Sequence, residues 1–281
     1  MNDIRIEGEP QEVYEARQLI LNSFNKLRFE EGPHKYYLDD VEYKSVSETI
    51  KQFERESDWD MIAENYAKKN GETAEYWKDQ WQYNNLSSTM TGTRVHSFLE
   101  GAGWMMSGHP ELIPNDVSCQ YIADKQWMIP FHSKEVAGLQ ALRDLKQHFW
   151  LVLNETKVYT GLNSDPTKNP KYPYAGTFDM LYYYDGNGDK NKSGFLICDW
   201  KTNKSLISDY NRSKKITMKK PFNNLIDEAL SHYSLQFSCY QIPLEDIGLN
   251  VIGRRLFWLK EDGTYEKIST PDLTNILRKT L

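Results

Sequence analysis

The residues best suited to chemistry lie within two apolar segments that read as strands. Asp179 ends the segment AGTFD, and Asp199 and Lys201 flank Trp200 twenty residues further along, in the run FLICDWK. Because side chains alternate along a strand, Asp199 and Lys201 should share a face, where unpaired charges are costly to bury. With Asp179 on the neighbouring strand, two carboxylates could bind Mg²⁺, and Lys201 would stand beside charge developing on phosphorus. The alternative is a buried salt bridge between strands.

Further polar residues could join this site from other elements. His96 and Glu100 are one helical turn apart, as are Gln236 and Tyr240, so each pair shares one face of a predicted helix. A lone histidine in such a position is more often a capping or core residue than a ligand, and an inward-facing glutamine needs hydrogen-bond partners. Glu155, in the predicted strand ETKVYT, is interpreted either as a carboxylate close to the metal ligands or as an ordinary exposed charge.

The elements that must position these residues follow from the spacing of apolar side chains. In the first half of the chain this spacing is mainly helical, with one hairpin. The predicted elements are a helix opened by Pro10, a hairpin in HKYYLDDVEYKSV that turns at Asp39-Asp40, helical residues 57–84, a helix that follows Gly92-Thr93, and a helix with Ser133 as its N-cap.

The pattern changes to strands near residue 155. ETKVYT, YPYAGTFDMLYYYD and GFLICDWKT predict three successive strands, and a polar turn from Gly186 to Gly194 joins the last two as a hairpin. A helix over residues 224–245 and a hairpin that turns at Asp262-Gly263 follow. This order of elements predicts an α/β fold, in which a mixed central β-sheet is flanked by helices.

Composition limits the class of protein and its compartment. The 281 residues include 34 basic and 40 acidic side chains, and the net charge of −6 argues against nucleic acid at the level of the whole chain. No apolar run approaches the roughly 20 residues that span a membrane, and no signal segment is visible, so we expect no membrane partner. The three scattered cysteines favour a reducing, cytoplasmic location.

One segment departs from this acidic balance. From Lys201 to Lys220 the chain has seven basic residues against one acidic residue, a local charge of +6. Because this segment directly follows the Asp-x-Lys pattern, it could bind a phosphate backbone, and Tyr210 and Tyr233 could stack on unpaired bases. The alternatives are a solvated loop for the lysines and a core position for Tyr233.

Taken in order, four short patterns resemble the PD-(D/E)xK nuclease superfamily. They are Gly-Thr-x-x-His, Gly-Thr-x-Asp, Asp-x-Lys and Gln-x-x-x-Tyr, within residues 92–245. The chain looks most like the RecB-type exonucleases, including the mitochondrial genome maintenance exonuclease and related phage proteins, and HKYYLDDVEYKSVSETIKQF is similar to the entry segment of phage-type members. Phe178 stands where many superfamily members have proline, as is common in the RecB-type branch. The resemblance implies a restriction-endonuclease-like core in residues 89–281, and residues 1–88 are expected to form a mostly helical cap that restricts entry to strand ends.

The resemblance also implies a metal site and its cofactor. Asp179 and Asp199 would bind Mg²⁺ or Mn²⁺, and the main-chain carbonyl of Trp200 would complete the site. His96 would be a further ligand supplied by a helix, and Lys201 would orient the attacking water and stabilise the transition state. Some relatives hold an iron–sulfur cluster with four cysteines, which is excluded here because the chain has only three, Cys119, Cys198 and Cys239.

DNA contacts and an activity follow from the same resemblance. Gln236 and Tyr240 would position the strand or the lysine. The residues expected to contact DNA are Arg94, Thr202, Lys204, Lys214, Lys215 and Tyr240. The implied function is a metal-dependent deoxyribonuclease, an exonuclease on linear or single-stranded DNA, which works with replication or recombination proteins in a bacterial or phage-infected cytoplasm. A structure-specific or restriction-type endonuclease and a catalytically silent DNA-binding module are alternatives, and the oligomeric state is left open.

Overall fold

The computed structural model describes residue 5 and residues 8–113, 121–122 and 127–281. Its helices are α1 (Gln11–Phe24), α2 (Val46–Lys51), α3 (Trp59–Asn70), α4 (Ala74–Met106), α5 (Ser133–Lys146), α6 (Asp209–Lys214), α7 (Ala229–Asp246) and α8 (Thr274–Thr280). Its strands are β1 (Arg28–Glu30), β2 (Lys35–Leu38), β3 (Val41–Ser45), β4 (Tyr121–Ile122), β5 (Trp127–Met128), β6 (Trp150–Tyr159), β7 (Tyr174–Tyr184), β8 (Gly194–Lys201), β9 (Val251–Leu259) and β10 (Tyr265–Ser269).

The central sheet mixes parallel and antiparallel strands. Its order is β1-β2-β3-β7-β8-β9-β10, and β6 also pairs with β7. β3 runs parallel to β7 and β8 runs parallel to β9, whereas β6–β7 and β7–β8 are antiparallel. Helices α1, α5 and α7 pack against this sheet, and β4 and β5 form a separate pair. The predicted α/β fold, with a mixed sheet flanked by helices, is confirmed.

The middle of the sheet is buried, and its few charged residues are therefore conspicuous. β8 is buried from Gly194 to Trp200, and Phe178 on β7 has no exposed surface. Strands that are covered on both faces read as continuous apolar runs, as FLIC does in this chain. Asp179 and Asp199 interrupt those runs, although only 9% and 2% of their surfaces are exposed. The fold thus encloses the two carboxylates that the sequence singles out.

The N-terminal region contributes strands as well as helices. The helix predicted after Pro10 is α1, which buries Ile20 against the core. The predicted hairpin is β2–β3, and it turns at Asp39 and Asp40, whose φ angles are 47° and 65°. β3 then joins the central sheet beside β7, and α4 runs without a break through residues 88 and 89. The division into a cap and a core at that point stays a prediction.

Two predicted helices around the cap have different ends in the structure. Residues 57–84 form two helices, α3 and the first part of α4, which are separated at Gly71. The helix predicted to follow Gly92-Thr93 is wrong in its start, because α4 begins at Ala74 and passes through both residues. A Cβ on Gly92 would lie 3.3 Å from Oγ1 of Thr202, so the glycine permits close approach of α4 to the end of β8. That contact explains a glycine within the helix.

The starts of α5 and α7 also differ from their predictions. His132, and not Ser133, caps α5, because Nδ1 of His132 accepts the N–H of Lys134. The helix predicted over residues 224–245 begins only at Ala229, since Ile226 is held in an isolated β-bridge outside the helix. Among the described residues, no helix has both the length and the apolar character needed to cross a membrane. Cys198 and Cys239 are buried free cysteines, and Cys119 lies outside the described residues.

Candidate metal centre

Three carboxylates occupy neighbouring positions on three adjacent strands. The register of β6 and β7 sets Glu155 opposite Asp179. On the other side of β7, Asp199 lies one position beyond the last β7–β8 pair, Met180 with Cys198, so it also faces Asp179. Residues that face each other on adjacent strands have neighbouring side chains. The sheet therefore brings the two predicted carboxylates together and adds Glu155, whose role the sequence left undecided.

The backbone between β7 and β8 is held by a side chain at this point. The ladder between the two strands stops before Asp179, and Oδ2 of Asp179 accepts the N–H of Trp200 at 2.8 Å. The Trp200 ring is buried and packs against Phe257 with ring centres 5.2 Å apart, which anchors the end of β8. Because the N–H and C=O of a strand residue point to the same neighbour, the carbonyl of Trp200 is also directed towards β7. That direction suits the predicted carbonyl ligand.

His96 reaches the carboxylates from α4. Its Nδ1 lies 3.3 Å from Oδ2 of Asp179 and 3.8 Å from Oε1 of Glu155. Glu155 has a φ of 39°, a backbone conformation that is strained for a residue with a side chain and that is often kept at functional sites. His96 thus lies beside the two carboxylates, and its role as a metal ligand stays a prediction. Glu100, one turn further along α4, lines a separate cavity that also includes Glu155.

Competition for protons dominates the electrostatics of the site. Burial lowers the pKa of His96, but the charges of Asp179 and Glu155 raise it by more, so the net pKa is well above the usual value. Burial raises the pKa of Asp179, but His96 and Lys201 lower it by more, so Asp179 stays ionised. Burial and then the charge of Asp179 raise the pKa of Asp199 to about 8, and they also raise the pKa of Glu155. At neutral pH the site holds protons that a cation would displace.

Lys201 is held beside the carboxylates by two contacts. Its Nζ lies 2.7 Å from Oδ1 of Asp199 and 4.4 Å from the centre of the Tyr233 ring. Burial lowers the pKa of Lys201, but Asp199 and Asp179 raise it by more, so the side chain remains an ammonium. The hydroxyl of Tyr233 donates to Oδ1 of Asn203 at 2.7 Å, which fixes the ring under the lysine. Tyr233 therefore supports Lys201, a role that the sequence did not predict.

The donor atoms of this site fit a hard divalent cation. Ligand atoms of His96, Glu155 and Asp179 all lie within 4.8 Å of one another. Carboxylates are preferred ligands of Mg²⁺ and Mn²⁺, and an imidazole is tolerated best by the transition metal. In the described part of the chain, the buried Oδ1 of Asp199 accepts no well-directed hydrogen bond despite its ion pair with Lys201. This oxygen of Asp199 is an additional acceptor beside His96, Glu155 and Asp179.

Gln236 and Tyr240 support the sheet from α7. Nε2 of Gln236 donates to the Tyr240 hydroxyl at 2.8 Å. The Tyr240 ring is only 4% exposed, and a Cβ on Gly176 would lie 2.7 Å from it and 2.8 Å from Val46. The glycine of AGTFD is therefore required by close packing of α7 on β7. This position fits the expected positioning role of Tyr240 better than the direct DNA contact also predicted for it.

A groove of about 820 Å³ opens beside Lys201. Two predicted DNA contacts, Thr202 and Lys204, line this groove, together with uncharged α4 residues between Asn85 and Gly92 and with His96. Arg94 does not line it. The Nε of Arg94 instead lies 2.9 Å from Oε1 of the buried Glu135. Part of the predicted DNA surface thus adjoins the candidate metal centre, whereas Arg94 links α4 to α5.

The basic segment from Lys201 to Lys220 carries less free charge than its composition suggests. Three of its seven cations pair with carboxylates elsewhere, namely Lys201 with Asp199, Arg212 with Glu228 and Lys219 with Glu56. The other four are exposed and form no ion pair within the described chain; they are Lys204, Lys214, Lys215 and Lys220. Lys214 and Lys215 lie at the end of α6, beyond the residues that line the groove.

Comparisons with known proteins do not assign the chain to a family. A scan against protein-family models gave no match, and a search of curated proteins found no similar sequence. The resemblance to RecB-type nucleases therefore rests on the four short sequence patterns. The geometry of the candidate metal centre is an independent argument about chemistry, because it depends on distances and burial and not on the resemblance.

Proposed function

We propose that the protein is a metal-dependent deoxyribonuclease of the PD-(D/E)xK type. The observation that carries this proposal is the meeting of His96, Glu155 and Asp179 within 4.8 Å, next to the Lys201–Asp199 pair, at the wall of an open groove. Buried carboxylates that crowd one another lower stability, so their retention at the groove favours a functional role. The lysine adds a fixed positive charge on the groove side.

The chemistry divides between a metal ion and the side chains of the chain. His96, Glu155 and Asp179 would hold Mg²⁺ or Mn²⁺, with Asp199 and the Trp200 carbonyl as further predicted ligands. When bound, such an ion polarises a phosphoryl oxygen and makes water a better nucleophile. Lys201 remains protonated and presents its charge where negative charge develops on the phosphate oxygens, which is an interaction that strengthens in the transition state. Tyr233 keeps that ammonium in position.

The preferred substrate is linear or single-stranded DNA, degraded from an end. The α4 residues between Asn85 and Gly92 that line the groove are uncharged, and exposed Lys204, which also lines it, would supply a phosphate contact. α3 and the first part of α4, which we call the helical hairpin, project exposed aromatic side chains such as Tyr83. Aromatic side chains stack on unpaired bases with little sequence preference. The setting we propose is a bacterial or phage-infected cytoplasm, with replication or recombination proteins as partners.

The test compares end-labelled DNA in linear and circular, single- and double-stranded forms, with Mn²⁺ or with excess chelator. We expect the wild type to degrade linear DNA only with metal and to leave covalently closed circles uncut. Lys201→Ala should abolish degradation with an unchanged circular dichroism spectrum. Lys192→Ala is the matched control, because Lys192 is 71% exposed at the other end of β8. Activity in chelator, or full activity of Lys201→Ala, contradicts the proposal. Cleavage of covalently closed circles would indicate an endonuclease. DNA binding without turnover would indicate a catalytically silent DNA-binding module.

A further inference from the structure

A second cavity adjoins the candidate metal centre on the side away from the groove. It has a volume of about 490 Å³ and lies between α1, α4 and β6. Glu155 lines this cavity, whereas His96 lines the groove, and the two side chains are only 3.8 Å apart. The groove and the cavity are therefore separated by little more than the metal centre itself.

The groove, the candidate metal centre and the cavity lie along one line through the molecule. Along α4, Gly92 and His96 line the groove, and Glu100 lines the cavity. At 1.5 Å of rise per residue, the eight residues from Gly92 to Glu100 span about 12 Å. Across the sheet, Lys201 on β8 lies at the groove and Glu155 on β6 lies at the cavity, two strand spacings or about 10 Å apart. The cavity therefore lies on the continuation of the groove, beyond the candidate metal centre.

The walls of the cavity suit a nucleotide. Gln18 and Asn22 project from one face of α1 and Asn25 follows as its C-cap, and the three side-chain amides form no hydrogen bond with any described residue. Lys157 is exposed at the rim and forms no ion pair in the described structure. Amides can bind base edges and sugar hydroxyls, and an ammonium can bind a phosphate.

Apart from the carboxylates of Glu100 and Glu155, the other walls of the cavity are apolar or already satisfied. Phe24 and Leu153 supply apolar surface that could contact a base or a sugar. Arg17 is buried, and its guanidinium is occupied by Glu9 at 2.8 Å and by the carbonyl of Val152 at 2.9 Å. The strongest cation of the cavity is thus committed to the fold, which leaves the α1 amides and Lys157 as the groups available to a ligand.

We infer that this cavity binds the terminal nucleotide that cleavage releases, and that it thereby sets the length of the product. The inference rests on the proposed nuclease function. A volume of 490 Å³ falls in the lower half of the range of roughly 300–1,000 Å³ that is usual for small-molecule sites. It admits a mononucleotide or a short fragment. Hydrolysis adds water across one P–O bond, which leaves a phosphate on one fragment and a hydroxyl on the other, and Lys157 would meet a phosphate-bearing end.

The test measures ligand binding and product length separately. Deoxyadenosine 5′- and 3′-monophosphates are titrated into the full-length protein in chelator, and the products of uniformly labelled linear single strands are sized in Mn²⁺. We expect one monophosphate to bind wild type, at least a tenfold weaker affinity in Asn22→Trp, and a changed product length in that variant. Gln18→Ala, which removes an amide without filling space, should weaken binding as well. Gln147→Trp is the control, because Gln147 lines an unrelated cavity of about 620 Å³.

The outcomes separate this inference from the proposed function. If wild type degrades no DNA in Mn²⁺, the nuclease proposal fails and the product site fails with it. If wild type degrades DNA but binds neither monophosphate, or if Asn22→Trp and Gln18→Ala keep the affinity and product lengths of wild type, only the product site is overturned. A loss that Gln147→Trp shares also overturns it, since the effect would then not belong to this cavity.

Discussion

The candidate metal centre and the helical hairpin break opposite rules of protein structure. At the metal centre, charged residues are buried, and Asp199 is only 2% exposed. On the helical hairpin, large apolar residues face solvent: Trp59, Tyr83 and Met90 are 64%, 68% and 66% exposed, and α3 buries only Ala63. Buried charges and exposed apolar surfaces are the two observations that most often signal function.

The two regions differ in how their side chains are held. At the candidate metal centre, strand register places the carboxylates, the Trp200 N–H holds Asp179, and the Lys201 ion pair holds Asp199. On the helical hairpin, rings contact mainly one another, as between Tyr66 and Trp77 at 4.7 Å. α4 belongs to both regions, since its buried residues begin at Val95, one residue before His96. Under the proposed function, catalysis would depend on the buried part of α4, and selection of DNA strands would depend on its exposed part.

The largest expected effect comes from a change in the rigid region. Asp179→Asn should lower metal-dependent DNA degradation by about 10²–10³-fold or more, because it removes a charge that holds the cation and leaves the shape unchanged. The side-chain oxygen can still accept the Trp200 N–H, so thermal stability should stay close to wild type. The control is Asp40→Asn at a turn where the carboxylate is fully exposed. Equal activity of Asp179→Asn and wild type would mean that the candidate metal centre has no role in DNA degradation.

Packing behind the metal centre can be tested without an activity assay. Gly176→Ala should lower the free energy of unfolding by about 1–3 kcal/mol in urea titrations, because the new methyl group meets the Tyr240 ring at 2.7 Å. Gly32→Ala is the matched control, since a Cβ at Gly32 has no atom within 4 Å. An equal and small effect at both glycines would mean that the packing of Tyr240 on Gly176 is not tight.

A smaller effect is expected from the helical hairpin. Tyr83→Ser should weaken binding of linear single-stranded DNA by about tenfold, the equivalent of one lost stacking contact, and leave stability unchanged. Fluorescence anisotropy with a labelled oligonucleotide in chelator gives this affinity without cleavage. Tyr172→Ser is the control, because Tyr172 is 60% exposed outside the helical hairpin. Unchanged affinity in Tyr83→Ser would leave the exposed aromatic residues without a role in DNA binding.

The smallest expected signal is the release of protons when metal binds. The pKa of His96 is raised by neighbouring carboxylates, and the pKa of Asp199 is raised to about 8, so both hold protons at pH 7. A cation must displace such protons, so Mn²⁺ affinity should increase from pH 6 to pH 8, with about two protons, one from each group, released per ion at pH 7. Calorimetry in buffers of different ionisation enthalpy measures this number. A binding enthalpy that is the same in all buffers would contradict the assignment.

Much of the fold and part of the site could be predicted because their signals are local. Continuous apolar runs and a polar turn identify β7 and β8 as a hairpin, and the pairing of its strands places Asp179 and Asp199 face to face. The helical spacing of apolar residues places His96 on a helix, and that helix packs beside the sheet. The regular register of strands converts sequence spacing into position, which is why these residues can be located from the chain alone.

The rest depends on contacts between distant parts of the chain. Glu155 joins the centre because β6 pairs with β7, and neither this pairing nor its φ of 39° is predicted by the segment ETKVYT. Gly92 suggests a helix end, but contact with Thr202, more than a hundred residues away, explains why a glycine stands inside α4. The charge sum of the basic segment misleads for the same reason, since Arg212 finds Glu228 only in the fold. Tertiary context overrides local preference at each of these positions.

The most direct test of the central claim is the position of a bound ion. Crystals grown or soaked with Mn²⁺ would give an anomalous diffraction peak that locates the metal without reference to DNA. We expect a single strong peak bonded to Nδ1 of His96 and to the carboxylates of Glu155 and Asp179, and the loss of that peak in Asp179→Asn. A strong peak elsewhere with none among these three side chains would contradict the account.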